Sequence, residues 1–429
     1  MTNYPLFHFK EHNTQEDSDP IRLDSSIEKG SMNSDLKADS PLYLGLHKDD
    51  KGEFRIGYYV GIRWIEWNSE GKQYKGILYA SPKRTDIHYE QLLMTCLLDE
   101  KVRPHLTDCF SLFPDEPPIP IPNNSQDFIT PFAVCDFLVK VDHIAKKGLK
   151  KNFVRETSIL AYTVKGKINI AKSMKHSAYA CSPRNSCSYQ RHTGNCIENR
   201  ILKSALIKIL SYAQALARLN PKIGELLQNV LRAFENVESI DTNTLDFSSI
   251  LGNPFYKEYQ PALTLARILL KQFSYSVEKQ MGKVSKYTIP FFINMPELFE
   301  RYCEVLLRRK YDNILVGYGR GAESETSSGH RQLRPDFLLP KENRIVDSKY
   351  KFWADGGGIL DESDISQLCL YSRHDGILKK LNNTDKVPIM QFIYPELENG
   401  ARDVDFSQPI NKKVDEIVKC YKYPLDIKI

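Results

Sequence analysis

An aspartate and a lysine two residues apart close an apolar run in "RIVDSKYK", Arg344–Lys351. On a β-strand, positions i and i+2 face the same way, so Asp347 and Lys349 stand side by side. Eleven residues upstream of Asp347, Asp336 stands in "RPDFLL". A strand, a turn and an antiparallel return strand fit that interval, and such a hairpin brings Asp336 to Asp347. Two close carboxylates repel one another unless a cation sits between them. Mg²⁺ takes a few hard oxygens and keeps several waters. Bound there, it would acidify one water and polarise a phosphate oxygen. Lys349 would orient the attacking water or offset charge growing on a phosphorane-like transition state. The chemistry indicated is metal-dependent cleavage of a phosphodiester.

A surface ion pair worth about 0–1 kcal/mol is the plainer account of Asp347 and Lys349 taken alone. The ordered set is more specific than either dipeptide, because a helix bearing Gln367 and Tyr371 follows and an acid-rich helix precedes. On the preceding helix Glu297, Glu300 and Glu304 share one face. Glu300 is the candidate to complete the acidic cluster, with the choice among the three left open.

These residues need elements to hold them. "MPELFERYCEVLLRRKY" reads as a helix with Pro296 at its start. "NILVGY", "RPDFLLP" and "RIVDSKYK" read as strands, and "GRGAESETSSGHRQ" as a polar loop. "DESDISQLCLYSRH" reads as a helix capped by acids, and "VPIMQFIYP" as a buried strand. Together they make an α/β unit of domain size. Upstream, "NCIENRILKSALIKILSYAQALARL", "IGELLQNVLRAF" and "ALTLARILLKQF" carry apolar residues at helical spacing, with Asn220-Pro221 separating the first two. "ENR", Glu198–Arg200, is read as a brace or cap of the helix it begins. "ILAYTVKGKINIAK" reads as a pair of strands and Asp127–Lys147 as a helix. The front of the chain is β in pattern. "YPLFHF" is a candidate first strand, and "FRIGYYVGIRWIEW" and "KGILYA" flank a turn near Gly71. Trp64, Trp67 and the Tyr58-Tyr59 pair are expected in the core and edge of that sheet. "YEQLLMTCLLDEKV" reads as a helix, and the proline-rich stretch Phe113–Asn124 as a connection. The organisation expected is a multi-domain α/β protein. It has a β-rich N-terminal domain over 1–150 with an acidic insert at 10–40, a mainly helical middle over 151–285, and an α/β domain over 286–429 that carries the site.

The chain has 429 residues, 41% hydrophobic and 26% charged, ordinary for a protein with a sizeable core. The net charge of +5 is mild, but its distribution is uneven. Residues 1–40 carry eight acids against four Lys/Arg, and residues 140–175 carry ten Lys/Arg against two acids. The basic run is a solvated face by default, and would otherwise suit DNA phosphates or an acidic partner. The N-terminus lacks the basic start and apolar stretch of a signal peptide, and no run approaches the roughly 18 apolar residues of a membrane helix. Nine scattered cysteines are then expected as reduced thiols in the cytoplasm. Cys181, Cys187, His192 and Cys196 are four zinc-ligand types in one loop, at spacings that match no common zinc knuckle. The plainer reading is a thiol-containing loop. No G-x-x-x-x-G-K-[ST] occurs anywhere, and "GYGRG" at 317–321 leads into a polar loop instead of a helix.

With its "RPDFLL…RIVDSKYK…QLCLY" series, the chain resembles the PD-(D/E)xK nucleases, and more narrowly the McrC nuclease subunits of McrBC modification-dependent restriction systems. "KGKINIAKSMKH", "IENRILKSALIKIL" and "MPELFERYCEVLL" carry the narrower resemblance, in that order, over roughly residues 150–429. The resemblance implies a restriction-endonuclease-like domain that hydrolyses DNA in defence against phage. Asp336, Asp347 and Glu300 would be metal acids, Lys349 the catalytic lysine, and Gln367 and Tyr371 the supporting helix pair. It implies Mg²⁺ as cofactor, and as partner a McrB-like AAA+ GTPase ring that binds the GTP and reads modified cytosine in double-stranded DNA. The family resemblance assigns partner binding to the N-terminal domain over 1–150. Pairing of nuclease subunits as a homodimer is compatible with it. Two other readings stand beside it: a stand-alone nuclease of the same superfamily, and a catalytically silent adaptor that only stimulates the GTPase.

Overall fold

The computed structural model describes residues 4–13, 42–69, 72–84, 87, 89–113, 116–120, 129–241, 256–278, 287–317, 334–352, 362–382, 387–396, 412–413 and 420–427. Most of the acidic insert, the turn at Gly71 and the polar loop at 319–332 lie outside the described residues. The chain is mixed α/β and divides into two compact units, Met1–Pro120 with Thr288–Ile429, and Ile121–Tyr287. This division differs from the three consecutive segments expected from the sequence.

The first unit opens with β1 (Leu6–Lys10), β2 (Tyr59–Ser69) and β3 (Lys72–Ser81), followed by α1 (Tyr89–Leu97) and β4 (Phe110–Leu112). β2 and β3 form an antiparallel ladder, and β1 adds in parallel to β3. Phe7, Phe9, Ile65, Leu78 and Phe292 bury one side of this sheet. Trp64 is buried with its indole N–H donating to the Pro117 carbonyl, and Trp67 packs at the core's edge against Tyr74.

The second unit begins with α2 (Ile129–Lys147) and a small sheet module: β5 (Asn152–Ala161), β6 (Lys167–Ile168), α3 (Ile170–Ala180) and β7 (Arg184–Thr193). β7 is central, paired antiparallel with β5 over ten residues and with β6 at its other edge. The helices α4 (Ile197–Leu219), α5 (Pro221–Ala233) and α6 (Tyr259–Glu278) complete the unit. Asn220 ends α4 and caps α5, its Oδ1 accepting from the Lys222 N–H, with Pro221 in the first turn.

The stretch read as a cysteine-bearing loop is therefore largely strand. Cys187 and His192 both lie on β7 and are five residues apart, so they face opposite ways at roughly 16 Å separation. His192 stacks on Phe153 across the ladder. That separation along β7 keeps Cys187 and His192 from sharing a zinc ion, and among the described residues no three His, Cys, Asp or Glu side chains, the acids included, are grouped to hold a metal ion. All nine cysteines are free thiols.

The chain then returns to the first unit. β8 (Phe291–Asn294) inserts between β2 and β4, giving the sheet order β1-β3-β2-β8-β4. Gly61 makes this possible: a Cβ there would meet the Phe291 carbonyl oxygen at 2.2 Å. β8 runs directly into α7 (Met295–Lys310), whose start is set by the Asn294 side chain and Pro296 and whose last turn carries Arg308, Arg309 and Lys310. Next come β9 (Leu315–Val316), β10 (Phe337–Leu339), β11 (Arg344–Ser348), α8 (Glu362–Tyr371), α9 (Asp375–Lys380), β12 (Ile389–Glu396), β13 (Lys412–Lys413) and β14 (Cys420–Asp426). They form a second sheet of order β9-β10-β11-β12-β14-β13, parallel at its centre and antiparallel on both flanks. α8 and α9 cover one face, packing Leu368, Tyr371, Ile377 and Leu381 on Leu338, Ile345, Met390 and Phe392. Among the described residues no helix is long and apolar enough to cross a membrane.

Candidate active site

The β10–β11 hairpin pairs Phe337 with Val346 and Leu339 with Arg344. Asp336 immediately precedes β10, and continuing the register one step past the Phe337–Val346 pair brings it level with Asp347. Both follow the alternation of Leu338 and Ile345, so they belong to the face that α8 covers. Gly317 lets the neighbouring strand pass, since a Cβ there would strike the Pro335 carbonyl oxygen at 2.0 Å. β11 is buried by pairing on both sides, and the Lys349 N–H continues its ladder to the Ile393 carbonyl.

Asp347 is 3% exposed, and the Lys349 ammonium lies 2.8 Å from its carboxylate. Asp336 accepts two hydrogen bonds on one oxygen, from the Ser348 N–H and hydroxyl, both at 2.7 Å. Lys349 also donates to Gln367 Oε1 at 3.2 Å. Gln367 Nε2 donates to the Tyr371 hydroxyl at 2.6 Å, and Tyr371 donates to the Arg334 carbonyl at 3.0 Å. This relay closes a ring from the end of β11 through α8 to the residue two before Asp336. The i, i+4 spacing of Gln367 and Tyr371 puts both on one side of α8.

The three glutamates of α7 have different partners. Glu304 is fully buried against Arg308, and Glu297 pairs with Arg301. Glu300 contacts Arg301 at 3.0 Å, its charge acts on Asp336, and the charge of Asp347 acts on it. Burial pushes Asp336 up to about 7, with the charge of Glu300 adding to it. Burial likewise pushes Asp347 up to about 7, with Asp336 as the second cause. Glu300 rises to about 7 through burial, against the pull of Arg301, with Glu297 and Asp347 adding to the rise. Burial alone would lower Lys349; Asp347, Asp364 and Asp336 outweigh it and raise its pKa.

A mutually repelling carboxylate set with hard oxygens is the donor chemistry of Mg²⁺. In charge and ligand type the residues fit that ion. Their side chains are turned to protein partners, Asp336 to Ser348, Asp347 to Lys349 and Glu300 to Arg301. The structure therefore gathers all six candidate residues in the first unit, with the acids apart from the converged geometry of a loaded site. Asp364 and Lys351 also belong to the cluster, and sequence reasoning missed them. Lys351 lies 2.6 Å from Asp364, which lies 3.6 Å from Lys349. The i+2 repeat of lysine after Lys349 and the acid three residues before Gln367 were the available signals.

A family model described as McrBC 5-methylcytosine restriction system component matches residues 121–379, more than half of the chain. The chain belongs to that family. The matched span of this McrBC-family chain includes all six candidate residues. No curated protein matches the chain. Two solved structures are similar to it. One is described as a refined half-complex from a tetradecameric assembly of Thermococcus gammatolerans McrB AAA+ hexamers with bound McrC. It shows 14% identity and a TM-score of 0.41, covering 98% of this chain and 94% of that one. The other is a cryo-EM structure of the Thermococcus gammatolerans McrBC complex, at 15% identity and a TM-score of 0.32, covering 71% of this chain and 87% of that one.

Proposed function

We propose that this chain is the DNA-cutting subunit of a modification-dependent restriction system, a Mg²⁺-dependent endodeoxyribonuclease with a PD-(D/E)xK fold. The observation that carries the reading is the hairpin that sets Asp336 opposite Asp347, with Lys349 paired to Asp347 and braced by Gln367 and Tyr371. Asp336, Asp347 and Glu300 would hold the ion, which supplies an acidified water and an electrophile at the phosphate. Lys349 orients that water or offsets charge on the phosphate in the transition state. Ser348 fixes Asp336 from behind. The Gln367–Tyr371 relay holds Lys349 at the strand end.

The chain carries no Walker A sequence, so any GTP in the reaction is bound by another protein. The partner in this reading is a McrB-like AAA+ GTPase ring that engages double-stranded DNA bearing modified cytosine. The β5–β7 module with α3 is a suitable contact surface. Phe153, Tyr162 and Tyr179 are 69%, 75% and 82% exposed. On α3, Ile170 and Met174 are exposed as well. Residues 150–193 carry nine Lys/Arg against one acid. Exposed apolar surface on this scale marks an interaction site. Tyr162→Ala with Tyr179→Ala should weaken binding to the GTPase and its stimulation by about tenfold or more, as loss of aromatic anchors does. The melting temperature should stay unchanged, because neither ring is buried. Unchanged stimulation would place the contact elsewhere.

The deciding experiment is cleavage of cytosine-methylated plasmid with Mg²⁺, by this chain alone and with its AAA+ partner and GTP. Cutting only in the full mixture supports the reading. Cutting by the chain alone makes it a stand-alone nuclease. GTP hydrolysis that is stimulated without cutting makes it an adaptor.

A further inference from the structure

We propose that Asp364 is a positioning residue for Lys349, an inference that rests on the nuclease reading. Asp364 lies in the first turn of α8 and is 8% exposed. Its two oxygens divide between two lysines, Oδ1 toward Lys349 at 3.6 Å and Oδ2 toward Lys351 at 2.6 Å. Lys349 and Lys351 flank Tyr350 in a tight turn closed by the Lys351 N–H on the Lys349 carbonyl at 2.9 Å, and both ammonium groups reach Asp364. Lys349 thereby has two counter-charges, Asp347 at 2.8 Å and Asp364.

The two differ in their other duties. Asp347 is a candidate cation ligand, and whatever negative charge it shares with a cation is withdrawn from the lysine. Asp364 stands on α8 with Gln367, on a different element from the hairpin acids though within reach of the Asp347 charge, and Lys351 holds its second oxygen. Asp364 and Gln367 together keep the ammonium in place whatever Asp347 binds. A purely structural role is the alternative, because an acid in the first turn of a helix is favourable on its own. That role would leave the position of Lys349 unaffected.

The test uses the full-length chain with Asp364→Asn, which keeps shape and removes charge. In the cleavage assay with the AAA+ partner, kcat should fall about 10- to 100-fold, as on loss of an outer-shell partner, while KM for DNA stays within about twofold. Asp364→Glu should recover part of the rate. Ca²⁺ affinity by calorimetry should match wild type, in contrast to Asp347→Asn. In Ca²⁺-bound crystals of Asp364→Asn, Lys349 Nζ should leave its wild-type position. An unmoved Lys349, a wild-type cleavage rate or lost Ca²⁺ affinity would each overturn the proposal. Wild-type protein that never cuts would sink the nuclease reading instead, and the crystal position of Lys349 would still decide the role of Asp364.

Discussion

Asp347→Asn is expected to abolish DNA cleavage and, in the absence of divalent cations, to raise thermal stability above pH 7. The first effect follows from the proposed role of Asp347 as a metal carboxylate. Removing several kcal/mol of transition-state stabilisation lowers the rate by roughly 10³-fold or more. The second follows from burial. Asp347 has an ordinary value of 3.8 and is pushed up to about 7 by desolvation and by Asp336. Between about pH 4 and pH 7 the folded chain therefore keeps a proton that the unfolded chain releases. That contribution to stability is fully present below pH 4 and is lost as the pH rises through 7. Asparagine carries no such charge. Melting curves in EDTA should show the variant above wild type at pH 8, with the gap closing toward pH 5. Lys349 keeps Asp364 as a counter-charge in the variant. A variant that still cuts would refute the site assignment. One that cuts nothing and also melts lower at pH 8 would mean Asp347 is a structural ion-pair partner. Saturating Mg²⁺ should reverse the order, because only wild type gains the binding free energy of the ion.

The hairpin was legible because its signals are local. Two apolar runs, a ten-residue gap and period-2 alternation suffice to set Asp336 opposite Asp347. Pro296 and the apolar spacing after it announced α7, and the sequence placed Gln367 and Tyr371 on one helix, while their hydrogen bonds to Lys349 and Arg334 come from the structure. Which α7 glutamate stands near the aspartates was not legible, since Glu297, Glu300 and Glu304 share a face. Only their arginine partners separate them. β14 went unread because Pro424 demotes a strand in any pattern argument, yet here it pairs in parallel with β12 at Tyr394. β7 went unread for another reason. Most of its side chains are solvent-facing or half-buried, so "RNSCSYQRHT" shows no apolar alternation and reads as a thiol-containing loop. The two-unit division rests on pairings distant along the chain. Four residues, Phe291–Asn294, complete a sheet whose other strands end near residue 112. No local pattern encodes a pairing of that separation.

Glu198→Ala is expected to destabilise the second unit by about 3–5 kcal/mol, the usual cost of leaving one charge of a buried pair alone. Lys150 Nζ lies 2.5 Å from Glu198, and both residues are buried. Burial alone would raise the Glu198 carboxyl; hydrogen bonds from Lys150, its own backbone and Cys196 hold it below the ordinary value. The pair sits in a larger knot. The Lys150 N–H donates to the Tyr259 hydroxyl, which donates to Asn199 Oδ1, and Asn199 Nδ2 donates back to the carbonyls of Lys150 and Gly194. Lys150 precedes β5 and Gly194 follows β7, so the knot ties both ends of the exposed sheet module to α4 and α6. The expected signature is therefore local as well as global. Amide exchange in β5 and β7 should quicken more than in α5. Because Glu198 is lowered, its contribution is present above the unfolded carboxyl value and is lost as pH falls through the folded one. The variant's deficit should accordingly shrink in acid. Replacing both partners, as Lys150→Met with Glu198→Leu, should cost less than the single change, since an apolar pair leaves no buried charge behind. A double variant as unstable as Glu198→Ala alone would show that the hydrogen-bonded knot, and not the unpaired lysine, sets the cost.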